Sequence, residues 1–116
     1  MVGNIFETNY DFEQIEKITK LAGVTFENRQ DIIMDLKLES DVVLMRDYKN
    51  EYDKNAIKVL TNFNKEQIQI GWIPRDLASV LAPEIDAGII WKGKIYKIIG
   101  TEYKNKGILI ELEYIA

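Results

Sequence analysis

Neither cysteine nor histidine occurs anywhere in the 116 residues. The first absence excludes a disulfide framework and any thiolate nucleophile or metal ligand, and it suits a reducing compartment. The second removes zinc sites of the usual kind, Ser-His-Asp and Cys-His systems, and the side chain that titrates near neutral pH. Catalysis would have to rest on carboxylates or lysines alone. Proline is limited to Pro74 and Pro83, and no repeat, low-complexity tract or Gly/Ser linker marks an internal boundary. No apolar run approaches the ~18 residues of a membrane span, and Met1-Val2-Gly3-Asn4-Ile5-Phe6-Glu7 lacks a basic region followed by an apolar core. The expectation is a cytoplasmic protein with no membrane partner and neither metal nor cofactor.

What is present describes one packed domain. Hydrophobic residues make up 47% and charged residues 29%, the balance of a globular chain that buries roughly 65% of its unfolded surface. The net charge is −4, which argues against a surface coated in phosphate-binding groups. The charge is nevertheless uneven. The stretch 91–106 carries Lys92, Lys94, Lys97, Lys104 and Lys106 against Glu102 alone, interleaved with Trp91, Tyr96 and Tyr103. Lysines among aromatics suit a single-stranded nucleic-acid groove, where ammonium groups meet phosphates and rings stack on bases. The simpler account, a solvated strand face with half-buried rings, fits the same residues.

Short segments of period two broken by turn residues indicate a small barrel or sandwich. Alternation predicts strands over 15–26, 56–61, 67–73, 91–103 and 108–115. The apolar run 42–48 reads as a strand buried on both faces. Within 67–73, Ile68, Ile70 and Trp72 fall on one face and Gln67, Gln69 and Gly71 on the other. Helical spacing of Ile32, Ile33 and Leu36 predicts a helix over 28–38, capped by Asn28. A second runs through 74–88 from Leu77, Val80 and Leu81, with Pro83 ending its first piece and Gly88 closing the rest. Residues 62–65 and 104–107 read as hairpin turns. The fold expected is mostly β with two short helices, a six-stranded OB-like or SH3-like barrel over 16–116. Residues 1–15 form an N-terminal segment with room to pack on it.

Motifs for chemistry are largely missing. Neither G-x-x-x-x-G-K-[ST] nor G-x-G-x-x-G occurs, so no Gly-rich loop cradles a nucleotide phosphate. Asp53-Lys54-Asn55 begins like a calcium loop, but Lys58 stands where Gly is needed and Asn64 where a bidentate Glu belongs. Carboxylate pairs such as Asp47 with Asp53, or Glu111 with Glu113, have no acid–base framework around them. A non-enzymatic binding module is the expectation.

The richest segment is Asn50-Glu51-Tyr52-Asp53-Lys54-Asn55-Ala56-Ile57-Lys58-Val59, a polar loop carrying an aromatic straight into a strand. Gly23-Val24-Thr25-Phe26-Glu27-Asn28-Arg29-Gln30 precedes it and Gly71-Trp72-Ile73-Pro74-Arg75-Asp76-Leu77-Ala78 follows. In that order the three blocks resemble the HIRAN domain, whose pattern is G-V-x-[FY]-x-N-R-Q, N-x-Y-D-x-N-A-I-x-V and G-[YWH]-[IVL]-P-R-x-[LI]-A. The resemblance covers about residues 18–88 in motif, and the last hairpin in strand pattern only. It implies an OB-like barrel of about six strands with two helices. It also implies recognition of single-stranded DNA, in particular 3′ ends, with any hydrolase activity lying in fused helicase or nuclease domains. DNA-repair or replication proteins are the implied protein partners.

By the same resemblance Tyr52 stacks on a terminal base, Asp53 accepts a hydrogen bond from the 3′-hydroxyl, and Arg75 meets a phosphate. Phe26 and Trp72 match the aromatics of the first and third blocks, and Lys104 joins the set from the basic stretch. Thr25 and Glu27 depart from the pattern, standing where end-binding eukaryotic members carry a basic residue and a second aromatic. Glu51 replaces a common Pro. Each site residue also has a structural account: Asp53 and Asn55 could turn the loop through their side chains, Trp72 and Phe26 could fill the core, and Arg75 could pair with a helix carboxylate. The alternative function is a protein-interaction or oligomerisation module on the same barrel without DNA-end binding. The DNA reading expects Phe26, Tyr52, Asp53 and Arg75 on one concave surface.

Overall fold

The computed structural model describes residues 17–24, 29–100 and 106–115. The expected segment 1–15, Phe26 and Lys104 lie outside them. Among the described residues the elements are β1 (Lys17–Lys20), α1 (Arg29–Ile33), β2 (Asp41–Arg46), β3 (Ile57–Phe63), β4 (Glu66–Trp72), α2 (Arg75–Asp86), β5 (Ile90–Ile99) and β6 (Gly107–Ile115). The strands form one antiparallel sheet in the order β1-β6-β5-β2-β3-β4. The protein is thus mostly β with two helices, and the sheet is not closed into a barrel. Among the described residues its two edges touch at a single bridge, Ala22 with Trp72.

Alternation fills the interior. Ile108, Ile110 and Leu112 of β6, Ile57 and Val59 of β3, Ile95 of β5 and Leu81 of α2 are completely buried, each large side chain contributing about 1.5–3 kcal/mol of transfer free energy. Beside this core Trp91 and Tyr114 pack in a tilted arrangement, 5.3 Å between ring centroids and 59° between planes, and Trp91 Nε1 donates to Glu84. The face α2 buries is Ala78, Leu81 and Ala82.

Several expectations are corrected. Among the described residues, the strand predicted over 15–26 is regular over Lys17–Lys20 and ends before residue 24, because the chain turns at Gly23 in the left-handed region (φ 68°) after the Ala22 bridge. The predicted cap Asn28 lies outside the described residues, and the helix predicted over 28–38 ends early, at Ile33, followed by tighter bonds from Asp35 N to Ile32 O and Leu36 N to Ile33 O that turn Leu36 into the core. The run 42–48 is not buried on both faces, since Val43 and Met45 are exposed while Val42 is buried. Pro83 does not divide α2. Both Pro83 and Ser79, whose carbonyl loses its donor, face solvent, so water can replace the missing bond while Leu81 and Ala82 anchor the inner face. The β3–β4 turn is the pair Asn64-Lys65, with φ 50° and 68°, the backbone of a tight two-residue hairpin.

The correction that matters most lies in β4. The register pairs Val59 with Gly71 but Leu60 with Gln69, so Ile70 is an extra residue bulged out of the ladder. Beyond the bulge the faces exchange. Ile68, opposite Thr61, still points inward, but Gly71 now takes the inward position and Trp72, opposite Lys58, points out. A β-carbon on Gly71 would lie 2.8 Å from Ala22 O and 3.1 Å from Leu21 Cβ, so only glycine lets the tail of β1 approach.

Candidate functional site

The outward turn of Trp72 forms one wall of a surface groove of about 630 Å³, lined by Ala22, Arg29, Asn50, Tyr52, Asp53, Ala56, Trp72, Ile73 and Arg75. Volume and mixed lining are those of a small-ligand site, roughly 300–1,000 Å³. Tyr52, Asp53, Trp72 and Arg75 come together here, although drawn from a loop, the end of β4 and the start of α2.

The loop is shaped by its own side chains. Asn50 Oδ1 accepts the backbone N–H groups of Tyr52 (2.8 Å) and Asp53 (2.9 Å), and Asp53 Oδ1 accepts that of Asn55 (2.9 Å). The turn chemistry thus falls to Asn50 and Asp53, while Asn55 supplies a main-chain amide. With its backbone pinned, Tyr52 is 87% exposed, a ring presented to solvent at a site that costs nothing in core packing. Asp53 spends one carboxylate oxygen on the loop. Its Oδ2 lies 3.9 Å from Arg75 Nε.

Arg75 pairs with no helix carboxylate in this arrangement. Its Nη2 donates to Tyr52 O at 2.7 Å, latching α2 to the loop, yet the side chain stays 73% exposed. A cation held there can meet both the Asp53 carboxylate and an anion in the groove.

Two further arginines hold the walls. Arg29 is buried, donating to Gly23 O (3.0 Å) and Gln69 O (3.3 Å), so it ties the turn after β1 to β4. Gln30 continues the tie: its Nε2 donates to Val24 O and Lys106 O, and its Oε1 accepts Lys106 N–H. This gives Arg29 and Gln30 of the first block a structural purpose that the spacing alone did not disclose. Behind the loop, Arg46 donates to Lys54 O, Ala56 O and Asp86, and its guanidinium lies 4.5 Å from the centroid of the Tyr48 ring. The Tyr48 hydroxyl donates to Asp86 at 2.6 Å. That hydrogen bond, with help from Arg46, holds the Asp86 carboxyl below its ordinary range, and it raises the Tyr48 phenol against the opposing effect of Arg46. Arg46 was missed in the sequence; an arginine ending an apolar strand before a polar loop was the available signal.

Among the described residues no three His, Cys, Asp or Glu gather as a metal site, and no helix is long and apolar enough to cross a membrane.

Comparison with known proteins agrees with this geometry. The HIRAN domain family model matches residues 18–113. Over 54 residues the chain is 35% identical to a Fanconi-associated nuclease 1 homolog of Arabidopsis thaliana, covering 47% of this chain and 6% of that protein. Against the Oryza sativa subsp. japonica homolog it is 43% identical over 54 residues, 46% of this chain and 6% of that protein. The chain therefore spans only a small part of the curated relatives it matches. Among solved structures, the HIRAN domain of human HLTF superposes with a TM-score of 0.65 at 23% identity, over 85% of this chain and 74% of that one. A Lactobacillus plantarum protein gives 0.59 at 21% identity, over 84% and 98%. With the family match spanning nearly the whole described fold, the chain belongs to the HIRAN domain family.

Proposed function

We propose that the protein is a nucleic-acid-binding module, without catalysis of its own, that takes the 3′ end of a single DNA strand into the groove. The observation that carries this reading is Asp53: a groove-lining carboxylate with one oxygen committed to the loop and the other facing Arg75, beside the exposed Tyr52 ring. An ionised carboxylate only accepts hydrogen bonds, so a terminal hydroxyl satisfies it and a terminal phosphate brings like charges together. Tyr52 and Trp72 supply faces for bases, and the groove accommodates a nucleotide rather than a duplex. The names of the curated relatives, nuclease homologs, support the coarser part of this reading, a role on nucleic acid.

The test is fluorescence anisotropy with one labelled strand ending in either a free 3′-hydroxyl or a 3′-phosphate, begun near ~50 mM salt where phosphate contacts are strongest. The hydroxyl end binds more tightly on this reading. Asp53→Asn is the informative variant, because the amide oxygen can still accept the Asn55 N–H and keep the loop. It lowers affinity for the hydroxyl end and narrows the gap between the two ends. Equal affinity of the unmodified protein for both ends rejects end recognition through Asp53. A response to salt that is flat as well moves the assignment to a protein-interaction module.

A further inference from the structure

The basic stretch of the sequence is not absorbed by the groove, and its described lysines, apart from Lys106, which is already engaged, divide into two kinds. Lys92 Nζ lies 3.9 Å from Glu113 and Lys94 Nζ 3.9 Å from Glu39, so their charges are largely offset. Lys97 makes no ion pair among the described residues, and neither does Lys20 of β1.

The register brings these two together. Lys20 and Lys97 both stand opposite Leu109 of β6, one from each side. The three side chains form a row across the sheet, with the lysine Cα atoms about 10 Å apart, two strand spacings. The neighbouring row, Thr19, Ile110 and Ile95, packs inward, and Lys20 and Lys97 are exposed. The stem of Lys20 runs over Gly107, where a β-carbon would come within 2.9 Å of its Cε. Glu111, on the adjacent outward position between Ile18 and Lys94, is already engaged. The row therefore presents a local excess of positive charge.

It also lies on the groove's side of the sheet. Along β1 and its tail Ile18, Lys20 and Ala22 are exposed while Leu21 is buried, so Lys20 and Ala22 share a surface about 7 Å apart. Ala22 lines the groove and bridges to Trp72. A chain leaving the groove past Ala22 meets Lys20 first and Lys97 next.

We propose that the Lys20–Leu109–Lys97 row is a second contact surface, carrying the phosphate backbone of the strand whose end occupies the groove. The inference rests on the function proposed above. A polyanion is favoured over an apolar or cationic partner by the two unpaired ammonium groups, and a nucleic-acid strand over an acidic peptide by continuity with the groove.

The experiment compares oligothymidine strands of three and twelve nucleotides with free 3′-hydroxyls, by anisotropy over a salt series, for the unmodified protein and for Lys20→Gln/Lys97→Gln. The charge-matched control is Lys37→Gln/Lys65→Gln, both exposed and neither in the row. Thermal melting checks that every variant stays folded. The twelve-mer should bind several-fold more tightly than the three-mer. The row variant should erase most of that advantage, leave the three-mer unchanged, and make the twelve-mer's log–log salt slope shallower by about 1.4, two phosphates at roughly 0.7 each. The control should do neither. Equal affinity of the unmodified protein for both lengths, or an equal loss in the control, overturns the second surface while leaving groove binding intact. No binding of either strand overturns the function proposed above and this inference with it.

Discussion

Ala22 and Trp72 exchange both of their backbone hydrogen bonds, at 2.8 and 2.9 Å, and among the described residues they are the one bridge between the two edges of the sheet. Both residues line the groove, so the bridge between the sheet's two edges also lies in the wall of the candidate site. Gly71 permits it by presenting no β-carbon to Ala22 O. Gly71→Ala should cost about 1–3 kcal/mol through overpacking, read as a lowered denaturant midpoint. Single-stranded DNA affinity should fall with it, because relief of the clash moves Ala22 away from Trp72.

Loop shape and loop contact can be separated at Asn50 and Asn55. Asn50→Ala leaves the amides of Tyr52 and Asp53 without their acceptor and should destabilise the protein by about 1–2 kcal/mol. Asn55→Ala keeps the amide that Asp53 holds, and urea denaturation should find it within about 0.5 kcal/mol of the unmodified protein.

Tyr52 offers the opposite separation. Being 87% exposed, its replacement by Ala should leave the melting temperature nearly unchanged. Affinity for single strands should drop by about 1–3 kcal/mol, the worth of one stacked base, for hydroxyl and phosphate ends alike. Titration of both labelled strands checks this, and an unchanged affinity removes Tyr52 from the interface.

The Tyr48–Asp86 hydrogen bond predicts how stability follows pH. Asp86 is lowered, so its contribution is present above the unfolded carboxylate value and is lost as pH falls through the folded one. Tyr48 is raised, so its contribution is present below the unfolded phenol value and is lost as pH rises through the folded one. The same bond is the largest cause of both shifts. Asp86→Asn and Tyr48→Phe should therefore each flatten the acid and the alkaline limbs of a stability–pH profile. Combining them should add little. Arg46 also lowers Asp86, so Tyr48→Phe should retain part of the acid limb, which chemical denaturation from about pH 3 to about pH 11 would resolve.

Much of the architecture was legible because period-two patterning reports which side chains must leave water. Ile108, Ile110 and Leu112, read from alternation, are all fully buried, and Tyr52, Asp53, Trp72 and Arg75, read from the resemblance, line one groove. What escaped was whatever depends on a change of phase or on distant partners. A strict alternation puts Trp72 with Ile68 and Ile70. The bulge at Ile70 reverses it, and bulges leave no mark in a pattern of apolar and polar residues. Asn50 and Asn55 carry the same side chain five positions apart, and only the path of the loop decides which one caps it. Arg29 and Arg46 gain their roles only when the carbonyls they serve, up to 40 positions away, are brought beside them.

The sheet can be seen as two three-stranded leaves, β1-β6-β5 and β2-β3-β4, sewn along two margins. One margin runs through Asp41 and Val42 against Lys94 and Gly93, extended by mutual bonds between Ser40 or Glu39 and Ile95. Its packing is tight enough that a β-carbon on Gly93 would come within 3.0 Å of Val42. The other margin is the single stitch between Ala22 and Trp72, with the groove beside it. The leaves therefore part most easily where the groove lies, with the Gly93 margin acting as the spine of the book. Any flexing at that spine would change the width of the groove, although none of its residues lines it.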